Sequence, residues 1–251
     1  MRNLCSVFFV FLFLVSCSPK YMDMGKKKEN AIALQRIGEA HYNSGKYTAA
    51  LKSLLEAHQT IPDDPYLNNS LGLVYLAKKK YDLAENSFKR ALDTKSDYIH
   101  AKNHLGAVYL KKKKWDLAIQ CFKETSENIL YATPEISFSN LGWAYFHKKM
   151  FNTAKPFFNK ALEIRPDFLN AIHGLASIYI ETGYHIQAVD FLQNALKKNP
   201  GAAIIHSDLA TVYEALKNFD HAKKSWNAVL KIEPATSPLA KEAQKRLFDL
   251  N

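Results

Sequence analysis

The sequence predicts an all-α solenoid: six helix-turn-helix repeats stacked side by side and closed by one further helix. Three observations carry that reading. Gly38, Gly72 and Gly106 lie 34 residues apart, Gly142 follows after 36, and Ala176 and Ala210 resume the 34-residue spacing. A second small residue recurs at one phase in every unit, as Ala50, Ala84, Ala118, Ala154, Ala188 and Ala222. An aromatic precedes five of these by three positions: Tyr47, Tyr81, Trp115, Phe151 and Phe219. Coincidences of residue type at one phase mark a repeat array rather than a domain with a unique core. The units are 31–64, 65–98, 99–134, 135–168, 169–202 and 203–236.

Residues 135–168 show why each unit is a helical hairpin. Phe138, Leu141 and Tyr145 follow a three-then-four spacing and share one face of a first helix, on which Gly142 leaves room for a neighbour. Asn152 is a candidate N-cap of a second helix, whose inner face carries Ala154, Phe158 and Ala161 and which Pro166 stops. A lone hairpin cannot bury its apolar face, so it needs copies on both sides. Phe138-x-x-Leu141-Gly142-x-x-Tyr145, with Ala154, Phe158, Ala161 and Pro166, resembles the tetratricopeptide (TPR) signature, with Phe in place of the leading Trp.

Taken in order, the chain opens on Met1-Arg2-Asn3 and an apolar run over 4–15, too short to span a bilayer and suited to a secretory signal. Leu14-Val15-Ser16-Cys17 resembles a bacterial lipobox. The resemblance implies cleavage after residue 16, diacylglycerol on the Cys17 thiol and, with Ser18 following, sorting to the outer membrane. Cys121 would then be a lone thiol, read as a small, partly buried residue of a second helix.

Residues 18–30 read as a polar tether, reaching at most about 45 Å if extended. Its Lys26, Lys27 and Lys28 suit either anionic head groups or a plain solubilising linker. Within the array, Thr48, Asp82, Asp116, Asn152 and Asp220 are candidate N-caps, and Pro62, Ser96, Pro166, Pro200 and Pro234 close repeats. The fifth repeat diverges at Tyr184-His185-Ile186 but keeps phase through Tyr179, Ala188, Leu192 and Ala195. Pro156 is placed near the start of its helix, where a missing N–H costs little. In the last segment, 237–251, Ser237-Pro238 reads as N-cap and first residue of a capping helix with an apolar stripe of Leu239, Ala243, Leu247 and Leu250.

An apolar fraction of 47% excludes general disorder. The chain carries no Gly-rich phosphate loop, His-Glu-x-x-His, cysteine cluster or nucleophile elbow, so neither catalysis nor a metal, cofactor or small-molecule substrate is expected. His100 and His104 lie one helical turn apart with no third ligand in evidence and read as packed or solvated histidines.

The TPR resemblance implies binding of a protein partner on the surface lined by the first helices. Carried onto this chain, the groove positions are Tyr42, Tyr66, Asn69, Leu73, Leu76, Asn103, Ala107, Leu110, Trp143, Phe146 and Ile180. The large apolar ones suit either a partner or packing between repeats. Position 9 is Glu39, Leu73 and Ala107 in the first three repeats, where a clamp for a free C-terminal carboxylate would need Lys. The +10 net charge is concentrated in Lys78, Lys79, Lys80, Lys112, Lys113, Lys114, Lys148 and Lys149, at the turns between paired helices. Stacking would align these as a basic rim facing anionic lipid or an acidic partner, or simply as solvated turns. A secretory signal argues against nucleic acid.

The third repeat is two residues longer than the others, through Asn128-Ile129-Leu130-Tyr131-Ala132-Thr133-Pro134 into Asn140-Leu141-Gly142. With the lipobox-like Cys17 and six repeats, this bridge resembles the PilF/PilW/Tgl family of outer-membrane lipoproteins. The resemblance implies a pilotin: a lipid-anchored, periplasm-facing scaffold that binds secretin subunits and promotes their localisation and multimerisation in type IV pilus biogenesis. A lipoprotein adaptor for peptidoglycan hydrolases or β-barrel assembly shares the same features.

Overall fold

The computed structural model describes residues 19–128 and 131–250. Among them are thirteen helices and no strand: α1 (Pro19–Asn43), α2 (Tyr47–His58), α3 (Pro65–Ala77), α4 (Tyr81–Thr94), α5 (Ile99–Lys111), α6 (Trp115–Ser126), α7 (Pro134–His147), α8 (Phe151–Ile164), α9 (Leu169–Glu181), α10 (His185–Lys198), α11 (Ala203–Ala215), α12 (Phe219–Ile232) and α13 (Pro238–Asp249). Each odd-numbered helix packs on the even-numbered helix that follows it. Successive odd helices also touch one another, whereas no two even helices do. The odd helices therefore lie on the inner radius of a curved stack, and the even ones fan out behind them.

One side chain per repeat locks each hairpin. Four residues after each recurrent alanine, Leu54, Phe88, Phe122, Phe158, Leu192 and Trp226 are fully buried. They reach the first helix at its small residue: a Cβ added to Gly142 would lie 2.8 Å from the Phe158 ring, and one on Gly174 of the next repeat 2.3 Å from it. Phe158 is thus clasped by two backbones that no larger residue would admit.

The turns between paired helices follow one design. Gly45, Lys79, Lys113, Lys149, Gly183 and Lys217 all have φ between 56° and 78°. Around Lys79, its own N–H donates to the Leu76 carbonyl and that of Lys80 to the Tyr75 carbonyl, which is the Schellman closure of a helix end. The same pair of bonds recurs around Lys113 and Lys149. The closure shifts the helix starts. Lys46, Lys80, Lys114 and Met150 occupy the N-cap positions without side-chain caps. Thr48, Asp82, Asp116, Asn152 and Asp220 therefore sit inside the first turn and are not caps. Of these second helices, α12 has a side-chain cap, supplied by Asn218 to the His221 N–H.

Two further sequence expectations change. Residues 19–30 are the first half of α1, not an extended tether. At about 1.5 Å per residue they rise roughly 18 Å. Residues 23–30 are exposed, and Lys27 pairs with Asp23 one turn away at 2.8 Å. Pro156 is the sixth residue of α8, past the first turn, and α8 continues through it on the exposed side. The signal segment, Cys17, Ile129 and Leu130 lie outside the described residues.

The bridge between repeats three and four is anchored by Tyr131, buried to 5% exposure with its ring edge-on to His100. Beneath it the Thr125 hydroxyl donates to Ser137, which donates to the Asn103 amide oxygen. At the other end, Ser237 caps α13 by accepting from the Ala240 N–H. Leu239, Ala243, Leu247 and Leu250 close the stack over Trp226.

Candidate partner-binding face

The inner face presents a row of clefts. The first, of about 290 Å3, lies across α1, α3 and the start of α5, and is lined by Tyr42, Tyr66, Asn69, Leu73, Tyr98 and Glu39. The second, of about 550 Å3, is formed by α5, α7 and the start of α9. The third, of about 360 Å3, is lined by Phe146, Ile180, His173 and Asp208 with Glu242 of α13.

The second cleft carries two tryptophans and a histidine. Trp115 and His147 stack with ring centroids 4.7 Å apart and planes 17° apart. Trp143 packs edge-on to Phe146 and Phe158 and lies 5.9 Å from His147. Its indole N–H donates to Asn170 Oδ1 at 3.1 Å, and the Asn170 amide donates onward to Ser139. Leu110 and Ala107 form the floor, and Lys111, Lys113 and Asn140 complete the wall. Burial, then Lys111, Lys149 and Lys113, lower the pKa of His147, so its imidazole is neutral at pH 7.

Several residues expected along the groove are placed otherwise. Asn103 is 4% exposed and committed to the network under the bridge, so it does not line the groove. Leu76, like Leu73 and Leu110, is partly buried against the core of the neighbouring repeats. Asn69 borders the first cleft, but its Oδ1 lies 2.9 Å from His104 Nδ1. That contact joins α3 to α5 and accounts for His104 as a packed histidine; burial and His100 push its pKa down to about 4. Conversely, Trp115, Lys111, Asn140, His147 and Asn170 were absent from the expected set. Lys111 and His147 occupy position 13 of their repeats, which the TPR resemblance places on the inner surface. Trp115 opens an even helix and reaches the cleft from its rim.

The basic rim is largely spent inside the protein. Lys78 reaches back to Thr48, Lys112 to Asp82 and Glu85, and Lys148 to Asp116, each bridging to the preceding repeat. Lys114 pairs with Glu85 at 3.5 Å and Lys149 with Glu181 at 3.0 Å. Burial pushes the Glu85 carboxyl up, but hydrogen bonds from Lys112 and Lys89 outweigh it and hold the pKa at about 2. Lys79, Lys80 and Lys113 have no carboxylate partner among the described residues, nor does the neighbouring Lys111. Two of these four, Lys111 and Lys113, border the second cleft.

Family models described as tetratricopeptide repeat match residues 35–99 and 69–128, 136–168, and 185–247. These are tetratricopeptide repeats. The TPR array is similar in structure to PilF of Pseudomonas aeruginosa, at 19% identity and TM-score 0.68 over 88% of this chain and 99% of that one. It is also similar to PilW, a widely conserved type IV pilus biogenesis factor, at 19% identity and TM-score 0.74 over 85% and 98% of the two chains. A tetratricopeptide repeat protein of Parabacteroides merdae matches at 15% identity and TM-score 0.72 over 92% and 94%. At such identities the likeness is one of fold. Among curated proteins, Protein O-mannosyl-transferase Tmtc3 of Drosophila melanogaster is 28% identical over 96 residues, 38% of this chain. Anaphase-promoting complex subunit 3 of Schizosaccharomyces pombe is 25% identical over 105 residues, 42% of this chain. These TPR matches span only 10% and 16% of those two proteins.

Proposed function

We propose that this TPR protein is a pilotin: an outer-membrane lipoprotein that binds secretin subunits and promotes their localisation and multimerisation for type IV pilus biogenesis. The observation that carries the reading is extent. The likeness to PilF and PilW takes in 99% and 98% of those chains, end to end; the repeat protein of Parabacteroides merdae matches over a similar extent, so the likeness supports the reading only together with the lipobox-like leader. The lipobox-like run ending at Cys17 adds the anchor such a role needs.

The mechanism is localisation by two attachments. Acyl chains on Cys17 hold the protein at the inner leaflet of the outer membrane, facing the periplasm. The inner face of the array grips a segment of the secretin and raises its effective concentration at that membrane. No helix of the described residues is long and apolar enough to cross a bilayer.

A photo-crosslinker at position 143 tests the partner, and capture of a secretin subunit is the expected result. Capture of a peptidoglycan hydrolase or a β-barrel assembly component instead would move the protein to the adaptor reading. The Cys17→Ala variant is expected to keep crosslinking while secretin rings fail to form at the outer membrane. Normal rings in that variant would sink the mechanism.

A further inference from the structure

We propose that the second cleft selects an acidic protein segment, one that sets a carboxylate beside an aromatic or aliphatic side chain. The inference rests on the inner face binding a protein segment, and not on that segment belonging to a secretin.

Charge complementarity carries it. Lys112, Lys114, Lys148 and Lys149 are each matched to a carboxylate of the protein itself. Lys111 and Lys113, from the same basic cluster, are matched to none among the described residues, and both border one cleft. That cleft holds no carboxylate to answer them. Its walls are the Trp115–His147 stack and Trp143, which suit a ring or aliphatic side chain. The Asn140 side chain borders the cleft and forms no hydrogen bond among the described residues, which leaves it to meet the backbone of an incoming segment. Two ammonium groups above an aromatic wall thus recognise a carboxylate and its apolar neighbour together. Anionic head groups would satisfy the lysines but make no use of the walls.

The test uses the full chain and an acetylated, amidated peptide of repeating Asp-Phe-Glu-Gly, titrated by tryptophan fluorescence and calorimetry. Its isosteric Asn-Phe-Gln-Gly counterpart and phosphatidylglycerol vesicles serve as comparisons. The acidic peptide is expected to bind on the order of tenfold more tightly than the neutral one, with the preference fading at high salt. The double variant Lys111→Gln/Lys113→Gln should erase that preference. Lys79→Gln/Lys80→Gln, which removes the other two unmatched lysines of the cluster, should retain it. Trp143→Phe, which keeps an aromatic wall, is expected to bind the acidic peptide with the preference intact. Equal affinity for the two peptides, or loss in the Lys79/Lys80 variant alone, overturns the inference. Binding to vesicles but not to peptide, abolished by the Lys111/Lys113 variant, overturns it in favour of lipid. A secretin captured from position 143 with no acidic preference would leave the pilotin reading standing alone. Acidic preference without secretin capture would do the reverse.

Discussion

The first and second clefts of the inner face are built on the same backbone and carry opposite chemistry. The first has three tyrosines and a single carboxylate, Glu39; the second has two tryptophans, a histidine and two ammonium groups. They differ also in how far the protein has answered its own charges. Glu39 accepts from Gln35 and from the Ser70 hydroxyl, and the Tyr66 hydroxyl accepts from Lys95. In the second cleft the side chains of Lys111, Lys113 and Asn140 have no hydrogen-bond or carboxylate partner among the described residues. The repeat fixes where a side chain is presented, and the neighbouring repeat decides whether anything is left for a partner. Unanswered polarity, more than exposed apolar area, separates the two clefts.

The largest expected effect comes from removing what each cleft is built upon. Phe158, beneath Trp143, and Leu54, in the wall of the first cleft, hold equivalent positions in α8 and α2. Phe158→Ala should cost about 3–5 kcal/mol and Leu54→Ala about 2–5 kcal/mol, the ranges expected for emptied core sites. Denaturant unfolding checks both. Only Phe158→Ala is expected to shift the native emission of Trp143. A shift of equal size in Leu54→Ala would mean that the clefts are not independent.

A second effect runs through pH and acts at the boundary between the clefts. His104 has a folded pKa of about 4 against an ordinary 6.5. The unfolded chain therefore takes up the proton first, and stability present above pH 6.5 is lost as pH falls toward 4. The loss is on the order of 3 kcal/mol. Glu85 adds a separate loss in a lower window, as pH falls from its ordinary 4.5 toward about 2. In His104→Gln, which can still meet Asn69, the decline between pH 6.5 and 4 should largely disappear. Thermal melts across that range check it, and an unchanged decline would place the acid sensitivity elsewhere.

The array itself was legible because the repeat supplies many independent copies of one phase. Ala50 through Ala222 are all fully buried, and the stripe of α13 packs as its spacing implies. What was not legible depends on contacts between repeats. Nothing local to Asn103 says that Ser137, 34 residues on, will draw it under the bridge. Nothing local to Lys112 distinguishes it from Lys111, since only the positions of Asp82 and Glu85 in the preceding repeat do so. The displaced N-caps have a different cause. The Schellman turn admits a lysine or glycine at positive φ, so five of the six second helices begin at their aromatic residue and not at the following polar one. The helical course of 19–30 is hidden by its polarity, which suits a linker, although Asp23 and Lys27 stand at the spacing of a helical pair.

Adjacent lysines give the sharpest version of the comparison. Lys112→Gln leaves Glu85, itself 7% exposed, with weakened compensation and is expected to cost about 1–3 kcal/mol. Lys111→Gln breaks no pair and should change stability by less than about 0.5 kcal/mol. Chemical denaturation of the two single variants separates them, and similar losses would show that Lys111 is structural too. The acidic peptide should report the opposite order, with Lys111→Gln the more damaging.

The smallest expected effect in stability is the most telling about the site. Lys113 holds φ at 58°, a region costly for any residue with a Cβ, where the first and fifth repeats place Gly45 and Gly183. Lys113→Gly relieves that strain but gains chain entropy in the unfolded state, so the net stabilisation should be only about 0.5–1 kcal/mol. Lys79→Gly makes the same exchange at φ 58° outside the second cleft and should stabilise by the same amount. Paired denaturation curves are expected to superimpose, while affinity for the acidic peptide falls in Lys113→Gly alone. A strained lysine whose replacement improves the fold and weakens binding is held there for the partner. If both variants bind alike, lysine at position 113 is only a tolerated turn residue and the burden of selecting an acidic segment passes to Lys111.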